Sequence, residues 1–152
     1  MKISKFEGEY AFLSNFYVAA FTYGADDKNI GDCFPTVEHC FQAAKTTDTL
    51  DYFKIRDAAT PGKAKRLGRK TALRPDWDKV KFELMMRMIH CKFVQNPELA
   101  EKLIETGDAE LVEGNNWGDT YWGVDLRTGI GENRLGIGLM LLRDILAGRI
   151  HV

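Results

Sequence analysis

Three polar side chains stand at helical spacing in residues 34–45, the segment FPTVEHCFQAAK. Glu38, Gln42 and Lys45 occupy positions i, i+4 and i+7, which places them on one stripe of a helix. The neighbouring stripe is apolar and consists of Val37, Phe41 and Ala44. A carboxylate, a carboxamide and an amine beside apolar side chains are the groups that a site for a polar small molecule needs.

Glu38 and Lys45 are the two members of this stripe that could take part in a reaction. An ionised Glu38 could orient or deprotonate a water molecule, and a protonated one could act as an acid. Lys45 could bind a phosphate or, in a desolvated site, act as a nucleophilic amine. Each has a simpler interpretation: Glu38 as an acid that interacts with the helix N-terminus, and Lys45 as a solvated lysine paired with Glu38 or Asp48.

A polar and aromatic turn, residues 12–17, could recognise a heterocycle. Ser14 and Asn15 can hydrogen-bond the edge of a ring, while Phe16 or Tyr17 can stack on its face. The alternative is an ordinary turn with two core aromatic side chains.

Two tryptophan–glycine pairs mark the loop 116–123, NWGDTYWG. They place large flat faces, such as that of Trp122, beside glycines, such as Gly123, that let a ligand approach the backbone closely. Asp119 and Asp125 add acceptors for sugar hydroxyls. A structural loop pinned by two tryptophans is the alternative. Trp77, by its position at a helix start, is interpreted as an anchor of the core.

A glycine-rich turn, residues 129–138, leads into the last predicted helix. Such a turn exposes amide N–H groups at a helix N-terminus and suits a phosphate. It does not follow a strand of a βαβ unit, which excludes the Rossmann and P-loop motifs. Asn133, Arg134 and Gly136 in this turn, with Arg69 at another helix end, complete the candidate binding residues.

The composition is that of an ordinary globular protein. The 152 residues are 45% apolar and 28% charged with a net charge of −1, so we expect one domain, 1–152, without the electrostatic footprint of a nucleic-acid or membrane binder. No apolar run could span a bilayer and no signal peptide opens the chain, so we expect a cytoplasmic protein. The three cysteines suit neither a disulfide framework nor a chelating site, and we expect no bound metal.

Hydrophobic periodicity predicts a single α+β domain, mostly helical, with a small β-sheet. Strands are expected at residues 19–23, 30–34 and 109–113, with a turn at 24–29. Helices are expected at 37–46, 49–57, 76–95 and 133–147. A further helix should run from Thr60 to Gly68 or Lys70, and a short one should start at Pro97 with Leu99, Leu103 and Ile104 inward. The helix 76–95 must be central because apolar side chains cover much of its surface.

Six short blocks in order along nearly the whole chain resemble the NADAR family, also described as YbiA-like proteins. The blocks are LSNF (13–16), EHCFQAAK (38–45), AKRLGR (64–69), RPDW (74–77), DTYWG (119–123) and GENRLG (131–136). One block is weak evidence, whereas six in the family's order are specific. The resemblance implies an α+β fold and cleavage of ribosyl N-glycosidic bonds, and we expect no cofactor.

The resemblance also implies substrates and roles. Family members are linked to hydrolysis of phosphoribosylated aminopyrimidine intermediates of riboflavin synthesis, and others to removal of ADP-ribose from guanine bases. Glu38 would be catalytic and Lys45 would match the family lysine. Trp77, Trp122 and Asp125 would support the reaction.

One position departs from the family pattern. The family often has Trp-Gly-Asp-Gly, whereas this chain has Trp122-Gly-Val-Asp125, so Asp119 competes with Asp125 for the role of the acid. The expected partner is a small ribosyl nucleotide or an ADP-ribosylated guanine, including one in ADP-ribosylated nucleic acid. The physiological substrate and the oligomeric state stay open.

The mechanistic hypothesis is cleavage through an oxocarbenium-like sugar, as in glycoside chemistry generally. Glu38 would stabilise that cation or activate the water, whereas Lys45 could instead trap the opened sugar aldehyde as an imine. Aromatic side chains would stack on the base: Phe16, Trp77 and Trp122. Basic or glycine-rich groups would contact phosphate: Arg69, Arg134 and the turn 131–136.

Two other functions fit the same residues. The first is a non-catalytic module that binds NAD or ADP-ribose in the same pocket, which predicts binding without turnover. The second is a helical interaction protein whose polar stripe is a solvated face. It predicts no rise in melting temperature with nucleotide.

Overall fold

The computed structural model describes residues 1–24 and 31–151. The described residues form six strands and six α-helices, with a 3-10 helix at Gly8–Leu13. The strands are β1 (Lys2–Ile3), β2 (Phe21–Tyr23), β3 (Asp32–Phe34), β4 (Glu110–Leu111), β5 (Gly114–Asn115) and β6 (Val124–Asp125). The helices are α1 (Val37–Ala44), α2 (Thr49–Arg56), α3 (Pro61–Gly68), α4 (Trp77–Gln95), α5 (Pro97–Glu105) and α6 (Arg134–Leu146). The predicted mostly helical α+β class is confirmed.

The chain divides into two compact units. Unit 1 consists of Met1–Ser14 with Pro97–Val152, and unit 2 consists of Asn15–Asn96. The predicted turn at 24–29 lies, apart from Gly24, outside the described residues.

Unit 2 carries the predicted polar stripe. Its antiparallel strands β2 and β3 pair Phe21 with Phe34, both of which are buried. Helix α1 packs against α2, α3 and α4. The long helix α4 turns Met85, Met88 and Ile89 into the core, which confirms that it is central to this unit.

Helices α1, α2 and α3 of unit 2 each begin at a capping residue. Thr36, Asp48 and Thr60 each accept a hydrogen bond from the backbone amide three residues later. Pro61 follows Thr60 at the first helical position, where its missing N–H is not needed. Local sequence thereby sets the start of these three helices.

Unit 1 is built around α5 and α6. Its parallel strands β1 and β4 pair next to α6, and α5 packs on α6. Leu99 and Leu103 are buried as predicted. The inward placement of Ile104 is wrong: its side chain is 37% exposed, because it lies about 100° around α5 from Leu103.

Within the described residues, none of the helices has the length and apolar character needed to cross a bilayer. Residues 1–24 and 31–151 also contain no group of three or more His, Cys, Asp or Glu side chains that could hold a metal ion.

Candidate active site

A buried threonine and histidine fix the first turn of α1. The Thr36 hydroxyl accepts the His39 backbone amide at 3.1 Å and lies 2.7 Å from His39 Nδ1. His39 Nε2 lies 2.9 Å from the Ala58 carbonyl oxygen, which can only accept, so Nε2 carries a proton. Both ring nitrogens are occupied, and His39 links the first turn of α1 to the Ala58 carbonyl.

Glu38 is the buried carboxylate of the polar stripe and is 7% exposed. Its backbone amide donates to the Asn15 carbonyl at 3.1 Å, and its Oε1 accepts from Gln42 Nε2 at 2.7 Å. Burial raises the pKa of the Glu38 carboxyl above its ordinary value, while the Gln42 hydrogen bond and the charges of Lys65 and Lys45 oppose the rise. Such a carboxyl is suited to taking or giving a proton during a reaction.

Lys45 ends α1 and is only partly exposed. Its Nζ lies 5.7 Å from the centre of the Phe41 ring. Burial lowers the pKa of the Lys45 ammonium below its ordinary value, and the charges of Lys65 and Arg69 add to the effect, while Glu38 opposes it. A carboxyl with a raised pKa and an amine with a lowered one therefore share one stripe of α1, as the spacing predicted.

Aromatic side chains adjoin this stripe. The rings of Phe41 and Trp77 lie 4.9 Å apart at 56°, and Trp77 is 6% exposed. This contact agrees with the interpretation of Trp77 as a core anchor beside the site. Phe16 is 42% exposed, and Lys65 Nζ lies 5.8 Å from its ring. Phe16 thus has an accessible surface that could contact a base, which stays a prediction.

Lys65 on α3 is a member of this group that the sequence analysis did not select. Its charge acts on both Glu38 and Lys45. The available signal was its place in the AKRLGR block, four residues before Arg69 and therefore on the same helix face.

Two other predicted residues of unit 2 lie around α1. Asn15 contacts α1 through its carbonyl, its Nδ2 lies 3.5 Å from Met85 Sδ, and its Oδ1 is buried without a hydrogen-bond partner among the described residues. Arg69 caps the end of α3 and is exposed.

The remaining predicted residues belong to unit 1. Ser14 ends the 3-10 helix, and its amide donates to the Ala11 carbonyl at 3.0 Å. Gly123 is needed for close packing, because a Cβ there would lie 2.9 Å from both Asn115 Nδ2 and Glu113 Cγ.

Asp119 organises the loop that carries the two tryptophans. Its Oδ1 accepts the backbone amides of Tyr121 at 3.1 Å and Trp122 at 3.0 Å. Asn115 fixes Asp119 in turn, with Oδ1 accepting the Asp119 amide and Nδ2 donating to the Asp119 carbonyl. Asp119 Oδ2 accepts no hydrogen bond from the described part of the chain.

Among the described residues, the Asp125 carboxylate accepts hydrogen bonds at both of its oxygens, unlike that of Asp119. Its Oδ1 accepts the Arg127 amide at 2.9 Å, and both carboxylate oxygens lie 3.3 Å from the Arg127 guanidinium. These hydrogen bonds hold the pKa of Asp125 below its ordinary value. Arg127 therefore holds the Asp125 carboxylate in the turn, and a catalytic role for Asp125 stays a prediction.

The glycine-rich turn before α6 differs from the predicted phosphate cradle. The backbone amides of residues 132–135 all donate to carbonyls of residues 120–123, at 2.8–3.2 Å. Asn133 adopts a left-handed conformation with φ 51°, its Oδ1 accepts the Glu113 amide, and its Nδ2 donates to the Leu111 carbonyl. Gly136 leaves room for Leu111 and Asn133. The expectation of free amides was wrong because the preceding loop already occupies them.

Arg134 is the basic side chain of this turn. Its guanidinium lies 4.7 Å from the centre of the Tyr121 ring and 3.2 Å from Glu132 Oε1. Tyr121 meets Trp122 edge to face at 4.7 Å. An arginine beside an aromatic pair is the phosphate-binding group that this turn can still offer.

A cavity of about 630 Å³ lies on the other side of α1. Its lining includes Cys40, Ala43 and Tyr23, and none of the predicted site residues. The carboxylate there, Asp32, already accepts from Tyr52 at 2.6 Å and pairs with Arg56 at 3.3 Å. The Glu38 stripe is the better catalytic candidate, since within residues 1–24 and 31–151 it is where a buried carboxyl of raised pKa and an amine of lowered pKa share one helix stripe.

The NADAR domain model matches residues 3–147 of the chain. The chain belongs to the NADAR family. The predicted resemblance is thereby confirmed, and the matched range includes residues of both units.

Relatives of known name agree with this membership. The chain is 41% identical over 145 residues to N-glycosidase YbiA of Escherichia coli, covering 89% of each protein. It is 37% identical over 139 residues to riboflavin biosynthesis protein VVA0006 of Vibrio vulnificus, covering 90% of this chain and 36% of that protein. The NMR structure of E. coli YbiA superposes with a TM-score of 0.82 at 36% identity, covering 100% of this chain and 89% of that one. The predicted enzyme class, an N-glycosidase, is confirmed at the level of the family.

Proposed function

We propose that this NADAR protein hydrolyses the N-glycosidic bond between a ribose and a nitrogenous base, with Glu38 as the key carboxylate. The observation that carries the proposal is a buried carboxyl of raised pKa on the same helix stripe as an amine of lowered pKa. Relatives named N-glycosidase, aligned along most of this chain, support the bond type.

The chemistry needs no group beyond water and these side chains. The bond from the sugar C1′ to the base nitrogen breaks, and its electron pair leaves with the base. Water adds to C1′ as Glu38 stabilises the cationic sugar and accepts the water proton. The leaving nitrogen takes up a proton from solvent, and Glu38 returns the water proton to solvent, so the products are a free base and a reducing sugar.

Two substrates fit this reaction. One is a phosphoribosylaminopyrimidine, which the name of the V. vulnificus relative supports. The other is ADP-ribosylated guanine, as a nucleoside or within nucleic acid, and its support is the family resemblance. Both join a ribosyl C1′ to a nitrogen of a planar base and carry phosphate, so Arg69, which lies in the same unit as Glu38, is the proposed phosphate contact.

The test is direct mass spectrometry of the wild-type protein with each substrate separately. Release of free base from one of them would identify the substrate. Glu38→Gln should lose this release, and Glu83→Gln, which changes an exposed ion-paired glutamate on α4, is the matched control that should keep it. No release from either substrate by folded protein would reject catalysis. Tight binding of ADP-ribose without turnover would then indicate a non-catalytic module.

Lys45 offers a second mechanism because its lowered pKa leaves more of it as a neutral amine. Its amine could add to the aldehyde of the ring-opened sugar and lose water to form an imine. Borohydride added during turnover would then reduce the imine to a stable adduct on Lys45, seen by peptide mass spectrometry. An actively hydrolysing enzyme without such an adduct would leave Glu38 and water as the mechanism.

The two candidate aspartates, Asp119 and Asp125, differ in how fully hydrogen bonds occupy their carboxylate oxygens. Asp119 has one carboxylate oxygen without a hydrogen bond from the described residues, whereas Arg127 occupies both oxygens of Asp125. We therefore expect Asp119→Asn to lower kcat more than Asp125→Asn. Both variants keep the side-chain oxygen that accepts backbone amides. A larger loss in Asp125→Asn, measured by base release, would reverse the assignment.

A further inference from the structure

The carboxamide of Gln42 is buried next to the Glu38 carboxylate. Nε2 donates to Glu38 Oε1 at 2.7 Å. Oε1 is buried and accepts no hydrogen bond from the described residues. Gln42 as a whole is 4% exposed, so its orientation is set by its neighbours rather than by water.

The neighbour that faces Gln42 Oε1 is Gly68, the last residue of α3. A Cβ on Gly68 would lie 2.8 Å from Gln42 Cδ, 3.1 Å from Gln42 Cβ and closer still to Oε1. Real Cβ atoms essentially never approach heavy atoms within 3.0 Å, so the carboxamide would have to move. The Gln42 Cβ is fixed to α1 and leaves little room for that movement.

The backbone gives no other reason for a glycine at this position. Gly68 lies within α3 and is absent from the glycines with positive φ, which are Gly8, Gly107, Gly118, Gly129 and Gly148. Glycine is also less favourable than alanine in a helix. The space beside the Gln42 carboxamide is therefore the feature that requires glycine here.

We propose that Gly68 is a positioning residue for the reaction: its missing side chain lets Gln42 keep the hydrogen bond that orients the Glu38 carboxylate. The inference rests on the proposed role of Glu38. Gly68 acts through Gln42 and touches no reacting atom.

The consequence is a dependence on pH. The hydrogen bond from Gln42 lowers the pKa of Glu38 and opposes the effect of burial, as do the charges of Lys65 on α3 and of Lys45 and His39 beside Glu38. Displacing Gln42 removes its part of that opposition, and the pKa of Glu38 rises further. The acidic limb of kcat/KM, which requires ionised Glu38, then moves to higher pH.

Gly62 supplies the matched control because it lies in the same helix. The nearest atoms to a Cβ on Gly62 are Arg66 NH1 at 3.8 Å and Thr60 Oγ1 at 3.9 Å, so alanine fits there. Gly62→Ala is expected to keep the wild-type pH profile and to raise the melting temperature. Gly68→Ala is expected to shift the acidic limb to higher pH, because the ionised Glu38 carboxylate loses the Gln42 donor that stabilises it. An unshifted limb in folded Gly68→Ala would overturn the proposal.

A double-mutant cycle separates positioning from general damage. Gln42→Ala should reproduce the shift, and Gly68→Ala added to Gln42→Ala should shift it no further, since the obstructing carboxamide is gone. The double variant also relieves the collision, which keeps the test available if Gly68→Ala alone does not fold. Equal shifts by Gly68→Ala in both backgrounds would contradict the mechanism.

A second readout does not depend on turnover. Carbon-13 NMR titration of the Glu38 carboxyl reports its pKa directly in each folded variant. If the wild-type protein cleaves neither substrate, the proposed function fails, yet a Gly68→Ala shift in this titration would still establish the positioning contact. If cleavage occurs and the titration is unchanged in Gly68→Ala, the positioning role alone fails.

Discussion

Glu38→Gln is expected to lower kcat for ribosyl–base cleavage by about 10²–10⁴-fold, the usual contribution of a positioned acid or base. Glutamine has nearly the same shape and keeps an oxygen that can accept from Gln42 Nε2, which now lies 2.7 Å from Glu38 Oε1. It lacks the negative charge that stabilises a cationic sugar and cannot accept a proton. Base release measured by mass spectrometry would show the loss, and activity within threefold of the wild type would remove Glu38 from the mechanism.

The same substitution should not reduce stability, which separates it from a structural defect. Burial raises the folded-state pKa of Glu38 above its unfolded value, so the folded protein binds that proton more tightly. The contribution of Glu38 to the free energy of unfolding is therefore present at low pH and is lost as pH rises from about 4 through the folded pKa. Glutamine does not titrate. Urea melts should therefore show that the free energy of unfolding of Glu38→Gln increases relative to that of the wild type as pH rises across that window.

Trp77→Ala is expected to lower the free energy of unfolding by about 3–5 kcal/mol, as truncation of a large buried aromatic does. Trp77 is 6% exposed, and its ring packs 4.9 Å from that of Phe41 on α1. Because Phe41 lies between Glu38 and Lys45 in α1, the cavity would loosen the helix that carries both groups. At about 2–4 °C per kcal/mol, the melting temperature should fall by roughly 6–20 °C.

Trp117→Ala is the matched control for this loss. Trp117 is 60% exposed, so its removal should change stability by no more than about 0.5 kcal/mol. Thermal melts of the two variants compare the same substitution in buried and exposed settings. A Trp77→Ala protein as stable as Trp117→Ala would show that Trp77 is not an anchor of the core.

The parts of the site that depend on local sequence could be predicted. Helical spacing alone placed Glu38, Gln42 and Lys45 on one stripe, and the capping residue Thr60 fixed the start of α3. These features depend on neighbours within a few residues along the chain. The resemblance to the NADAR family supplied the bond type, which no spacing could have indicated.

The partners of those side chains could not be predicted, because they are distant in sequence. The requirement for glycine at position 68 comes from Gln42 on another helix. The amides of the glycine-rich turn looked available for phosphate, yet carbonyls about ten residues earlier occupy them. The same limit applies to Asp125, whose carboxylate could be assigned to Arg127 only once the turn was seen.

Helix α1 also carries its own reporter of local opening. Cys40 is 1% exposed and faces the cavity on the side of α1 away from the Glu38 stripe, and burial raises the pKa of its thiol. Alkylation of Cys40 therefore requires the helix to open, whereas Cys33 is exposed in the folded chain. With Cys33 and Cys91 replaced, the alkylation rate of Cys40 would measure how often α1 opens under native conditions.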